Sequence, residues 1–85
     1  MASPELLRRW EKVRAQLDEA RGYLQAGEAE QVQELLDHNE LGLALDDLET
    51  IGLEATRQLE FWEAMASAAA LMEMPDRTAQ LRARA

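Results

Sequence analysis

Between Arg21 and Arg57 the chain has no lysine or arginine but carries nine carboxylates: Glu28, Glu30, Glu34, Asp37, Glu40, Asp46, Asp47, Glu49 and Glu54. Carboxylates at this density can pair as general acid and base, ligate a cation, or present a negative surface to a basic partner. Spacing argues against the cation. A di-iron bundle site needs Glu-x-x-His pairs, yet the only histidine is His38 and Leu35 stands three residues before it. A calcium loop counted from Asp47 reaches Gly52 at its sixth place, but Ile51 occupies a ligand position and Gln58 stands where the bidentate Glu belongs. Nucleophilic catalysis finds no cysteine and only Ser3, in a capping position, and Ser67, between alanines. His38 becomes a general base only where a nucleophile and an orienting group converge on it, and the sequence names neither. The chain therefore reads as non-enzymatic, with no metal and no cofactor.

The remaining use is a surface. The formal charge is -8 in 85 residues, yet residues 1–21 hold five basic and four acidic groups and residues 57–85 hold four of each, so the excess sits in the middle. Like charges so close repel and gain no intrahelical ion pairs. Direct nucleic-acid binding, which draws its affinity from Lys and Arg, is disfavoured, as is an anionic membrane surface. A basic protein partner is attracted. Plain solvation of a small acidic protein is the alternative use of the same charges.

The elements that must position these groups are helices. Only Val13, Val32 and Ile51 are β-branched aliphatics and no segment alternates apolar with polar residues, so the fold class is all-α. Ser3 and Pro4 start helix 1, with Leu6, Trp10, Val13, Leu17, Ala20 and Leu24 on one stripe, ending between Gly22 and Gly27. Gly27 punctuates, Glu28, Ala29 and Glu30 open helix 2, and Val32, Leu35 and Leu36 are its buried face. The chain breaks at His38 and Asn39; Asn39, or Asp37 with Glu40 as a capping box, starts helix 3. Leu41, Ala44, Leu45 and Leu48 form the helix 3 stripe, and Gly42 admits a close neighbour. Helix 3 ends at Ile51 and Gly52 unless the glycine is carried inside a continuous helix. Helix 4 runs from Glu54 to Glu73 with Leu59, Trp62, Ala66, Ala69 and Met72 inward, and Pro75 stops it. Asp76 caps a short C-terminal helical tail through Leu81 that frays into Arg82 to Ala85.

Short loops between these elements favour one domain, residues 1–85, built as a small antiparallel up-down bundle of about four helices, with helices 1 and 4 outermost and a short C-terminal helical tail. Helical spacing places Trp10 and Trp62 in the core and uses Met65, Met72 and Met74 as gap-fillers; Phe61, about 100° from Trp62, is either partly exposed and with Tyr23 a secondary candidate for partner contact, or part of a wide buried face of helix 4. Without a signal-like or membrane-length apolar stretch, the expected location is the cytoplasm.

The stretch from Asp37 through His38, Asn39, Glu40, Leu41, Gly42, Leu43, Ala44 and Leu45, followed by Asp46, Asp47 and Leu48, resembles the central signature of the MafI-family immunity proteins of bacterial polymorphic toxin systems. In that signature a helix end with a small residue or Asn is followed by Glu, an apolar residue, Gly and an Ala-Leu pair leading into an acidic helix. The resemblance implies a small helical antitoxin, encoded beside a toxin, that binds the toxin domain in the producing cell's cytoplasm and blocks it.

Both lines lead to one expectation: an acidic face on helices 2 and 3 engages a cognate toxin with a basic surface, such as a nuclease domain. The partner-binding candidates are Glu34, Asp37, Glu40, Asp46, Asp47 and Glu49. Within the signature, Glu40 also suits a helix-start charge and Gly42 a packing position. The alternative is a structural or regulatory bundle that forms a homodimer through a leftover apolar edge of helices 1 and 4.

Overall fold

A computed structural model describes residues 3–24, 26–55 and 59–84. Five helices follow in order, α1 (Pro4–Arg21), α2 (Ala26–Asp37), α3 (Leu41–Ala55), α4 (Leu59–Leu71) and α5 (Pro75–Ala83), with no strand among the described residues. None of these helices is long and apolar enough to cross a membrane. One hydrophobic core joins all five, from Val13 and Leu17 on α1 and Val32 and Leu36 on α2 to Leu45, Leu48, Phe61, Met65 and Leu81. The most extensive packing is of α1 on α4 and of α4 on α5, while α2 packs mainly on α3.

The start of α1 follows its sequence signals: the Leu6 amide donates to the Ser3 hydroxyl oxygen at 3.1 Å, and Pro4 takes the first turn. Other boundaries differ from expectation. Gly27 does not punctuate but lies inside α2. Asn39 does not open α3; it closes α2, with φ 59°, in a Schellman arrangement where the Asn39 amide donates to Leu36 O (3.0 Å) and the Glu40 amide to Leu35 O (2.9 Å). Asparagine tolerates this left-handed conformation better than most residues. Nor does Asp37 act in a capping box: it is the last residue of α2, and α3 instead starts after Glu40, whose carbonyl accepts the Ala44 amide at 3.0 Å.

Gly52 does not end a helix either. It lies buried within α3, which runs on to Ala55, so the expected helix 4 from Glu54 is replaced by one beginning at Leu59; Thr56, Arg57 and Gln58 lie outside the described residues. The close approach expected at Gly42 is absent, since nothing stands within 4 Å of a Cβ built there, whereas a Cβ on Gly52 falls 2.5 Å from Phe61 Cζ. The stop at the end of α4 comes before Pro75, from Glu73 at φ 59°, in a second Schellman arrangement: Glu73 N–H donates to Ala70 O and Met74 N–H to Ala69 O, both at 3.0 Å. Pro75 is the first residue of α5, preceded by Met74 with no side-chain cap, and Asp76 sits in the first turn rather than capping. The C-terminal segment is thus a packed fifth helix with Thr78 and Leu81 buried.

One aromatic assignment is overturned and an open one is decided in favour of burial. Trp10 is 38 % exposed although it sits on the core stripe, and Phe61 is fully buried, its ring edge-on to that of buried Trp62 at 4.8 Å. Tyr23 is half-buried against the core, as are Met72 and Met74, while Met65 is fully buried.

Candidate functional site

The acidic segment folds into α2 and α3, whose inner faces are aliphatic and whose outer faces carry the carboxylates. The fold brings cations to some of them, so the picture of nine uncompensated charges is corrected. Arg77 on α5 reaches Asp46 through Nη1 at 2.8 Å and grips Glu49 Oε1 through Nε at 3.1 Å and Nη2 at 2.6 Å. Arg84 donates from Nε to the other Glu49 oxygen at 3.0 Å, and its guanidinium lies 5.9 Å from the Trp62 ring centre. The Glu49 side chain is only 15 % exposed. Desolvation works against the charge of Arg77, but its hydrogen bonds to Asp46 and Glu49 more than offset that and raise its pKa. Glu49 is therefore a structural anchor for α5, and Asp46 is its partly exposed companion.

Asp37 accepts a hydrogen bond from Gln33 Nε2 at 2.8 Å and lies 3.7 Å from Arg14 Nη2 of α1. The other candidates remain toward solvent: Glu34 and Glu40 are exposed and Asp47 is half-buried. None of these three forms an ion pair with a described residue, and exposed Glu30 and Glu54 extend the same surface. The six candidates thus separate into an anchored pair, Asp46 and Glu49, a tethered Asp37, and a trio without an ion pair among the described residues.

His38, at the end of α2, is exposed and donates from Nδ1 to Glu34 O at 2.8 Å. That backbone bond raises its pKa above the usual 6.5; desolvation opposes the rise and the charges of Glu34, Glu40 and Asp37 add to it. The end of α2 consequently gains positive character where the helix dipole favours it. Among the described residues no three His, Cys, Asp or Glu side chains gather closely enough to hold a metal ion.

A second feature lies where α1 meets the end of α4. Leu6, Trp10, Leu41, Leu71 and Met72 line an open groove of about 430 Å³ with Asn39 on its wall and the Arg9–Glu73 ion pair, 3.1 Å, at its rim. Trp10, expected in the core, instead lines this groove beside the ends of α2 and α4 at Asp37 and Leu71. Comparison of the chain with protein-family models, with curated proteins and with solved structures gave no match.

Proposed function

We propose that the chain is a non-enzymatic binding protein, an immunity protein of the MafI type, acting in the cytoplasm on a cognate toxin domain with a basic surface. The observation that carries this reading is the exposure of Glu34 and Glu40, with half-buried Asp47, on adjoining helices without ion pairs to described residues. Such a face attracts a basic protein, speeds encounter and blocks access to the partner's cationic groove by occupying it, with no bond made or broken. The resemblance of residues 37–48 to the immunity signature supplies the partner class. An up-down antiparallel course of the helices belongs to the same proposal, because it sets the turn between α2 and α3 at one end of the bundle beside the carboxylates.

The test is co-expression with the toxin domain encoded next to this chain's gene. Wild-type protein should protect growth and bind with an association rate that falls as salt screens the charges. The variant Glu34→Lys/Glu40→Lys/Asp47→Lys should lose both, whereas failure of the wild-type chain to bind would sink the assignment. This triple variant avoids Asp46 and Glu49, whose replacement would disturb the packing of α5.

The second reading, a self-associating bundle, is favoured by the groove at Trp10 and by Leu7, 47 % exposed, on the same helix. Sedimentation at low concentration separates the two, since an obligate homodimer persists there.

A further inference from the structure

The outer surface of α3 contains leucines as well as acids. Leu43 and Leu53 are each 54 % exposed, the most exposed of the large hydrophobic residues described. At 3.6 residues per turn, Glu40, Leu43, Asp47, Thr50 and Glu54 recur by steps of three and four along one outward stripe, with Leu53 beside its end. The two leucines are separated by ten positions, about 15 Å along the axis at 1.5 Å per residue. The buried side of the same helix is formed by Leu41, Ala44, Leu45 and Leu48, so neither Leu43 nor Leu53 serves the core.

We propose that this face docks a cationic amphipathic helix of the partner, whose apolar residues seat on Leu43 and Leu53 while its lysines or arginines meet Glu40, Asp47 and Glu54. The proposal rests on the acidic-face reading and adds what holds the complex once formed. Charge complementarity selects this occupant. Two copies of α3 face to face would set Glu40, Asp47 and Glu54 against themselves, which opposes an isologous pair. A basic helix instead neutralises the rim while the leucines lose water, the arrangement in which central apolar contacts hold the complex and rim charges speed its formation.

The probe is a fluorescein-labelled, acetylated and amidated 18-residue peptide with leucines at positions 4, 8, 11 and 15 and lysines elsewhere on its flanks. Its affinity is compared for wild type, Leu43→Ala/Leu53→Ala and Glu40→Gln/Asp47→Asn/Glu54→Gln, each checked for an unchanged helical circular dichroism spectrum. The leucine variant should bind about tenfold more weakly, mainly through faster dissociation. The carboxylate variant should associate more slowly and lose its dependence on salt. Leucine-variant affinity within twofold of wild type, beside a weakened carboxylate variant, overturns the apolar docking but leaves the acidic face standing. No change in either variant overturns both, and a wild-type dimer abolished by the leucine variant would assign the face to a second copy and overturn the proposal.

Discussion

Gly52 on α3 lies against the Cε1–Cζ edge of the Phe61 ring on α4, with the position of a Cβ only 2.5 Å from Phe61 Cζ. Phe61 is fully buried and held edge-on to Trp62, so its ring has nowhere to retreat. Gly52→Ala is expected to destabilise by about 1–3 kcal/mol through overpacking, after the gain in helix propensity is counted. Gly42→Ala meets no atom within 4 Å and should stabilise by up to about 1 kcal/mol. Urea unfolding of the two variants gives opposite signs; equal effects would show that Gly52 is not a contact point.

Glu49 should matter more to folding than its acidic neighbours. It receives Arg77 from α5 and Arg84 from just past the end of that helix, while its side chain is only 15 % exposed, against 57 % for Asp46. Glu49→Gln is expected to cost about 1–2 kcal/mol, the range for charge-assisted hydrogen bonds reduced for partial solvent screening. Asp46→Asn should cost less than about 0.5 kcal/mol. Hydrogen exchange would show where the loss falls: α5 amides should exchange faster in Glu49→Gln while those of α1 change little. A uniform response would contradict the anchoring role.

These two cases show which parts of the structure the sequence could disclose. The Ser3–Pro4 cap was legible because its partners lie within three residues. Trp10 shares its stripe with fully buried Val13 and Leu17, yet the stripe reports only direction; coverage depends on where α2 and α4 stop. Gly42 and Gly52 look alike in sequence, and only the crossing with α4 distinguishes them. The acidic run was visible by counting, but the contact between Arg77 and Glu49 spans 28 positions and linear charge counting cannot detect it. Pro75 marked a boundary correctly and its element wrongly, because proline stops one helix and begins another with equal ease.

The raised pKa of His38 carries a sign for stability. The folded state holds the proton more tightly than the unfolded chain, whose value is near 6.5, so this contribution is fully present below that pH and is lost as pH rises through the folded value. The ring Cε1–H resonance should therefore titrate above 6.5, and His38→Gln should remove that part of the pH dependence. Added salt should lower the midpoint only partly, because the backbone hydrogen bond to Glu34, the largest cause, is not screened as the charges of Glu34, Glu40 and Asp37 are. A midpoint at or below 6.5 would contradict the Nδ1 contact with Glu34 O.

Glu73 holds a left-handed conformation, φ 59°, at the C-terminal turn of α4, where glycine is the usual occupant. Holding a residue with a Cβ there costs about 1–2 kcal/mol, while its ion pair with Arg9, with side chains 45 % and 72 % exposed, returns little. Glu73→Gly should therefore stabilise by about 0.5–1 kcal/mol, the gain being reduced by the larger backbone freedom that glycine has when unfolded. Glu73→Ala removes the pair without relieving the backbone and should be neutral or slightly destabilising. Thermal unfolding of the two variants thus separates the backbone term from the charge term, and a Glu73→Gly variant less stable than Glu73→Ala would show that the left-handed turn is not the source of the cost.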